Sequence, residues 1–208
     1  MAAIIWKFDR LEGIGGRQTR SEGHPQLVAT PAGKAALFNG VDDAVLIDQH
    51  PLAGAATFTV EAVFRPDGGA FEQRWLHLAE ANPADAEAQS PRILFEIRVV
   101  EDKWYLDAFT TGPGYNKALV VPEKTFAIGR WYAVQQSFDG RTYRSYVDGV
   151  LQAEDAIDFK PHKPGRSSVG MRINRVSYFK GAVLEARFTP RALAAAEFAA
   201  LPLGLNGK

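Results

Sequence analysis

An alternation of apolar and polar residues at every second position constrains the fold of this chain more than any other feature. It is clearest in segment 57–65, TFTVEAVFR, and in segment 93–100, ILFEIRVV. The apolar positions are Phe58, Val60, Ala62 and Phe64 in the first segment, and Ile93, Phe95, Ile97 and Val99 in the second. A period of two is typical of antiparallel strands that bury one face, so both segments are predicted to be strands of that kind.

Similar patterns predict further strands along the whole chain. They lie in KAALFNG (34–40), AVLID (44–48), RWLHLAE (74–80), WYLDAFT (104–110), SSVGMRI (167–173) and GAVLEARF (181–188). One segment, TPRALAAAEFAAL (189–201), is predicted to be helical, because Thr189 can cap a helix, Pro190 suits its first position, and Ala and Leu favour its interior. We therefore predict an all-β, two-sheet antiparallel sandwich with one short C-terminal helix, forming a single domain over residues 1–208.

Two Asp-Gly pairs, Asp139-Gly140 and Asp148-Gly149, have two possible interpretations: a site that uses both carboxylates, or two turns of the chain. Asp-Gly tolerates the positive φ angles of tight hairpins, and the segments around the two pairs alternate as strands do. We therefore predict a three-stranded meander in which the two aspartates turn the chain at opposite ends of the sheet.

Composition excludes several classes of protein. The formal net charge is zero, which argues against a dedicated nucleic-acid binder, and the absence of cysteine excludes disulfides and thiolate sites. No window approaches the roughly 18 apolar residues of a membrane-spanning helix. The start, MAAIIWKFDR, lacks the pattern of a secretory signal, so the chain as written is expected to be cytoplasmic, or secreted if a leader was removed.

The string GRWYAVQQSFDGRTYRSYVDGVLQA (129–153) resembles the central motif of laminin-G-like domains in the concanavalin A-like lectin/glucanase superfamily. Segment 33–47, GKAALFNGVDDAVLI, resembles an early strand of that family, and segment 167–201 resembles its ending. The chain departs from the family where Ala133 replaces a frequent His and Val63 a usual Trp. The resemblance implies a jelly roll with one convex and one concave sheet, in a family whose members bind carbohydrates, serve as interaction modules, or cleave glycans.

The resemblance also implies a metal. Sandwiches of this superfamily often hold one structural calcium ion near the place where the termini meet, and calcium takes oxygen ligands from carboxylates and carbonyls. By resemblance, the expected ligands are Asp9, Gly40, Asp43 and Glu185.

If the apolar faces form the core, the opposite face carries a mixture of aromatic, charged and amide groups that suits sugar binding. The predicted ligand-binding residues are Arg65, Trp75, His77, Glu96, Arg98, Tyr105, Asp107, Gln135 and Tyr146. The alternative is a solvated sheet face with cross-strand ion pairs. An enzyme would draw on His77, Glu96, Asp107 and Glu61, although the acidic motif of the glucanase branch, Glu-x-Asp-x-x-Glu or Glu-x-Asp-x-Glu, is missing from the sequence.

Six basic residues and no acid lie between Phe159 and Leu184, and this excess of positive charge would favour an acidic glycan as partner. They are Lys160, Lys163, Arg166, Arg172, Arg175 and Lys180. The leading hypothesis is thus a non-catalytic carbohydrate-binding or interaction module that uses the concave sheet face. The alternatives are a glycoside hydrolase or polysaccharide lyase, and a structural or oligomeric protein that packs on another protein; the sequence leaves the oligomeric state open.

Overall fold

A computed structural model describes residues 2–81 and 90–205, and in this part of the chain it contains sixteen strands in two antiparallel sheets. Sheet A consists of β1 (Ile4–Lys7), β3 (Gln26–Thr30), β4 (Gly33–Asn39), β6 (Phe58–Pro66), β12 (Tyr132–Phe138), β13 (Thr142–Val147), β14 (Val150–Ala156) and β16 (Lys180–Thr189). Sheet B consists of β2 (Thr19–Glu22), β5 (Ala44–Ile47), β7 (Glu72–Glu80), β8 (Arg92–Val100), β9 (Lys103–Gly112), β10 (Tyr115–Val120), β11 (Phe126–Ala127) and β15 (Gly165–Val169).

The strand order interleaves distant parts of the chain. Sheet A runs β14-β13-β12-β6-β16-β4-β3, with β1 paired to β16, and sheet B runs β10-β9-β8-β7-β15-β5-β2, with β11 paired to β9. The predicted two-sheet antiparallel sandwich is confirmed. All of the strands that the alternation predicts are present in the described residues, although only residues 167–169 of SSVGMRI are strand, as the end of β15.

The core lies between the two sheets, where the apolar positions of the alternating segments meet. Phe58, Phe64 and Phe95 are fully buried, and the ring of Phe64 on sheet A lies edge-on to that of Trp104 on sheet B, with centroids 5.1 Å apart. The period-two pattern therefore identified the inward faces of β6 and β8 correctly, because successive side chains of a strand point to opposite faces.

Both Asp-Gly pairs turn the chain in the β12-β13-β14 meander. The Asp139 carboxylate accepts hydrogen bonds from the amides of Arg141 (2.9 Å) and Thr142 (2.8 Å). Asp148 adopts a φ of 49° and accepts a hydrogen bond from the Ala133 amide at 2.8 Å. The prediction that these aspartates serve as turn residues is confirmed.

The predicted C-terminal helix is much shorter than its sequence pattern. Thr189 ends β16, and helical geometry is limited to one 3-10 turn, Ala195–Glu197. The backbone bonds instead to side chains of β6: Leu193 donates to the Thr59 hydroxyl (2.8 Å) and Ala199 to the Glu61 carboxylate (2.7 Å). These bonds replace the local ones of a helix, so tertiary contacts override the helix propensity of the alanine run.

The chain after β16 covers part of the outer face of sheet A. Leu201 and Leu205 pack on a second apolar cluster that includes Val63, Leu184 and Trp131. This C-terminal segment (190–205) forms a roof over part of sheet A. Within residues 2–81 and 90–205, no helix is long and apolar enough to cross a membrane.

Candidate functional site

The predicted site residues do not share one face. The structure places Glu61, Arg65, Gln135 and Tyr146 on the outer face of sheet A, and His77, Glu96, Arg98, Tyr105 and Asp107 on the outer face of sheet B. The two groups are separated by the core. Alternation distinguishes inside from outside along each strand, but it does not say to which sheet a strand belongs.

Trp75 lies on neither outer face, and its predicted place in a ligand site is wrong. Pairing between β7 and β8 shifts register between Arg74 and Leu76, so that Trp75 is the extra residue of a β-bulge. Its side chain is fully buried and stacks on Phe64, with ring centroids 4.7 Å apart and an interplanar angle of 14°. Both Trp75 and Leu76 therefore serve the core.

The centre of the sheet A face is closed by the C-terminal segment. Glu61 uses its carboxylate to bind the Ala199 amide, and Tyr146 packs edge-on against Phe198 with centroids 5.0 Å apart. Gln135 is only 1% exposed, opposite Glu61 on the neighbouring strand. Glu61 and Tyr146 hold the roof in place, and all three residues are buried beneath it and not available to a ligand or to catalysis.

Arg65 lies at the open end of the same face. Its guanidinium donates two hydrogen bonds of 2.8 Å to Asp67 and lies 5.4 Å from the ring centre of Trp131, which together fix its orientation. It borders a cleft of about 440 Å³ lined by His24, Gln26, Leu37, Phe38, Asn39, Asp43, Arg65, Asp67 and Lys180. This cleft is shared with no other predicted ligand-binding residue.

The outer face of sheet B gathers the largest group of predicted residues. Glu96 on β8 and Asp107 on β9 are cross-strand partners. Arg98 reaches both carboxylates, at 3.1 Å from Glu96 and 2.6 Å from Asp107, and Arg74 contacts Glu96 at 3.0 Å. Glu72, the first residue of β7, also pairs with Arg74. We call these five residues the ion-pair network.

Burial changes the acidity of this network. Desolvation, together with the negative charge of Glu96, raises the pKa of Asp107 from 3.8 to about 6, although Arg98 and Arg74 oppose the shift. One carboxylate oxygen of Asp107, Oδ1, is buried and has no hydrogen-bond partner among the described residues. The network therefore contains one carboxyl group whose charge changes near neutral pH.

An aromatic rim borders the ion-pair network. Phe71, just before β7, is 56% exposed, and the Arg98 guanidinium lies 5.9 Å from its ring centre. The Phe71 carbonyl accepts a hydrogen bond of 2.8 Å from the Val99 amide, which anchors its backbone to β8. Tyr105 on β9 is the cross-strand partner of Arg98. Two aromatic side chains thus flank one guanidinium at the surface.

Sequence reasoning missed Phe71, Glu72 and Arg74. The predicted strand began at Arg74, whereas β7 begins at Glu72. Strict alternation back from Leu76 and Leu78 places Glu72 and Arg74 on the inward face, so only the bulge at Trp75 identifies them as outward residues. The preceding PDGGA run also suggested a loop.

His77 points away from the core as predicted, yet it is not exposed. The loop of residues 170–178 covers it, and its Nδ1 accepts a hydrogen bond of 3.0 Å from the Ile173 amide. Desolvation, helped by the positive charges of Arg92 and Arg172, holds the pKa of His77 well below its usual 6.5. A neutral, covered imidazole that already accepts a bond does not fit the role of general base.

The residues proposed for calcium have other roles. Asp43 accepts hydrogen bonds from the His24 amide (2.7 Å) on one oxygen and from the Asn39 amide (3.0 Å) on the other. Gly40, in the same loop, has a φ of 79° and packs against Lys180. Asp43 and Gly40 therefore stabilise the loop between β4 and β5.

Asp9 and Glu185 line a different cleft and each pairs with a neighbouring arginine, Asp9 with Arg10 at 3.0 Å and Glu185 with Arg187 at 2.8 Å. Among the residues that the structure describes, no three His, Asp or Glu side chains are placed to share a metal ion. The four residues as arranged do not fit a calcium site.

Comparison with known families gives one match, to a model described as the concanavalin A-like lectin/glucanases superfamily (Laminin G 3), over residues 39–199. This range includes every strand from β5 to β16. A comparison with curated proteins finds no match to the sequence.

Solved structures of the same fold come from carbohydrate-active and toxin proteins. Domain 4 of AbnA, a GH43 extracellular arabinanase from Geobacillus stearothermophilus, in complex with arabinotriose, has a TM-score of 0.68 at 16% identity, covering 93% of this chain and 94% of that one. The botulinum neurotoxin serotype G binding domain gives 0.66 at 10% identity, covering 93% and 49%. A mutant of NanB sialidase from Streptococcus pneumoniae gives 0.64 at 17% identity, covering 82% and 27%. The chain thus spans about half of the toxin domain and a quarter of the sialidase.

Proposed function

Because the chain belongs to the concanavalin A-like lectin/glucanase superfamily, we propose that it is a non-catalytic carbohydrate-binding module whose site is the outer face of sheet B. The observation that carries the proposal is the exposed Phe71 ring beside the ion-pair network. Of the two outer faces, this one brings together five predicted site residues and lacks the roof of the C-terminal segment.

The chemistry of a sugar matches this arrangement. A pyranose or furanose ring has an apolar face that packs on an aromatic ring, and hydroxyls that need planar hydrogen-bonding groups at its edge. Phe71 supplies the ring, while Tyr105 and the partly exposed Glu72 supply polar groups next to it. The ion-pair network beneath keeps Arg98 and Arg74 in place, so the site is ordered before the ligand arrives.

Binding is supported over hydrolysis by the state of the two carboxylates. Glu96 and Asp107 are only 3% and 4% exposed, and Arg98 contacts both of them. A glycosidase needs two carboxyl groups that flank the scissile bond and reach it directly. Here the arginines occupy that position, and His77 is covered.

The similar structures support a binding role without assigning a ligand to this chain. The arabinanase domain is described in complex with arabinotriose, and the neurotoxin fragment is described as a binding domain. The alternatives to this proposal are a hydrolase or lyase and a protein-interaction module, and the experiment below distinguishes all three.

The test is a thermal-shift screen of the purified protein against soluble glycans, including arabinotriose, followed by titration calorimetry and product analysis. A ligand that binds only the folded state must raise the unfolding temperature. We expect stabilisation without products. Released sugars would instead establish an enzyme, and no glycan response together with a stable homodimer would favour the interaction module.

Phe71→Ala should weaken glycan binding about tenfold or more, because the exposed ring is the platform for the sugar. Val150→Ala is the matched control, since Val150 is an exposed apolar residue (65%) on β14 of the other sheet. Equal affinities for the wild type and Phe71→Ala would place the site elsewhere, with the cleft beside Arg65 the next candidate.

A further inference from the structure

We infer that the glycan recognised by the outer face of sheet B is uncharged. The inference rests on the proposed function and names the chemical class of its ligand. It follows from the charge balance of the ion-pair network, from the placement of the basic residues between 159 and 184, and from the groups left to meet hydroxyls.

The ion-pair network offers no excess positive charge. Three carboxylates, those of Glu72, Glu96 and Asp107, face the guanidiniums of Arg74 and Arg98, and each guanidinium contacts two carboxylates. Arg172, half-buried beside the network, adds a third guanidinium, while Arg92 on β8 and Arg166 on β15 lie farther along the same face, opposite Ala79 on β7. A carboxylate or sulfate on the ligand would therefore compete with partners that the arginines already hold.

The basic residues of the 159–184 region do not form one surface. Lys160 pairs with Asp158 at 2.6 Å, and Arg175 pairs with Glu22 at 3.0 and 2.7 Å. Lys180 begins β16 and lies on sheet A, away from Arg172 on the side of sheet B. Arg166 on β15 and Arg172 thus lie on the side of sheet B and Lys180 on sheet A, so an acidic polymer would not meet the whole run as a unit.

What remains at the surface suits hydroxyl groups. The Glu72 side chain is 41% exposed and can accept hydrogen bonds, and the Tyr105 hydroxyl can donate or accept one. Acceptors of this kind bind sugar hydroxyls and repel sugar carboxylates, so both the attractive and the repulsive contacts favour a neutral ligand.

The experiment measures the affinity of the full chain for neutral glycans and for their acidic counterparts. Galactan is paired with polygalacturonate and hydroxyethyl cellulose with carboxymethyl cellulose; arabinan and arabinotriose extend the neutral set, and heparin and hyaluronan the acidic set. Each titration is repeated from low salt to about 0.5 M NaCl, where unburied charges are screened. We expect at least one neutral glycan to bind, with a Kd that changes less than about twofold with salt.

A charge variant sharpens the result. Glu72→Lys should weaken binding of the neutral glycan, because it removes an acceptor for sugar hydroxyls, and should create measurable, salt-sensitive binding of the acidic counterpart. Glu154→Lys, on β14 of sheet A, is the control for the same change in net charge at a distance from the site.

The possible outcomes separate the two proposals. An acidic glycan that binds more tightly than its neutral counterpart, or an affinity that falls tenfold or more with salt, would overturn the neutral class while leaving a carbohydrate-binding module in place. Failure of every glycan in both sets would contradict the proposed function itself.

Discussion

A single inserted residue in β7 decides the role of a tryptophan. Strict alternation from Leu76 and Leu78 places Trp75 outside, but the bulge turns its side chain inward, where it contacts Phe64, Phe95 and Phe179. Bulges depend on how two strands pair, so the sequence of one strand does not reveal them. The same bulge separates the outward residues Arg74 and His77 by three positions instead of two.

Trp75→Ala should therefore destabilise the fold, by about 3–5 kcal/mol, because it removes a fully buried ring and leaves a cavity. Phe71→Ala, which shortens an exposed ring, should cost only about 0.5 kcal/mol. Equilibrium unfolding in urea measures both. A loss below about 1 kcal/mol for Trp75→Ala would contradict its place in the core.

At the scale of the element, the C-terminal segment illustrates how a helical sequence becomes a roof. Its alanines favour a helix, but Thr59 and Glu61 on β6 bind the backbone amides of Leu193 and Ala199. Leu201 and Leu205 add apolar contacts with sheet A. Because these partners lie more than a hundred residues earlier in the chain, local sequence patterns could not identify them.

Removing the Glu61 carboxylate should loosen this segment. Glu61→Ala leaves the Ala199 amide without its acceptor and should cost about 1–3 kcal/mol, while Glu61→Gln retains an acceptor oxygen and should cost less. Hydrogen exchange at the Ala199 amide is the direct measurement. The control is Glu185→Ala, which removes an acid of β16 that pairs with the partly exposed Arg187. Unchanged exchange in Glu61→Ala would contradict the role of this carboxylate.

At the scale of the whole molecule, a chain of buried hydrogen bonds joins three distant segments at one end of the sandwich. The Leu52 amide donates to Nδ1 of His50 (3.2 Å), so the His50 proton lies on Nε2, which faces Nδ1 of His162 at 3.2 Å. The proton of His162 then lies on Nε2, 2.8 Å from the Tyr115 hydroxyl oxygen, to which it donates. This order requires both imidazoles to be neutral.

Stability should consequently depend on pH. Burial lowers the pKa of His50 from 6.5 to about 3, helped by the charge of His162, and burial lowers that of His162 to about 4. A lowered folded-state pKa means that, as the pH falls, the unfolded chain takes up protons before the folded one does. The stability that the two neutral histidines contribute is therefore complete above pH 6.5 and is lost as the pH falls towards the folded-state pKa values. The expected loss is about 2 kcal/mol per histidine at pH 5.

Asp107 changes the pH dependence of stability in the opposite direction. Its raised pKa means that the folded state takes up the proton first, so this group stabilises the fold below the unfolded-state value of 3.8 and loses that contribution as the pH rises through about 6. Two histidines outweigh one carboxyl group, so the free energy of unfolding should still decrease from pH 7 to pH 5. Replacing both His50 and His162 by Gln should flatten or reverse that slope.

Chemical denaturation at several pH values measures the slope, and NMR of the imidazole C–H protons measures the two pKa values directly. The urea-unfolded protein, in which both rings should titrate near 6.5, is the control. Rings that titrate near that value in the folded protein would contradict the buried chain.

The sequence by itself determined the fold class, the strands, the inward faces of β6 and β8, and the Asp-Gly turns, because each depends on residues within one strand length of each other. It also carried the family resemblance that the match over residues 39–199 confirms. Alternation also pointed the side chains of Glu96, Arg98, Tyr105 and Asp107 outward, and the structure places them together on the outer face of sheet B.

Only the tertiary structure decided which outward residues meet. It separated Glu61, Gln135 and Tyr146 from Glu96 and Asp107 by the thickness of the core, and it covered the first three with the C-terminal segment. The physical reason is that the order of strands in a sheet, the bulge at Trp75, and the segments that roof a face are set by pairings between distant residues. A period of two records only which side of its own strand a residue occupies.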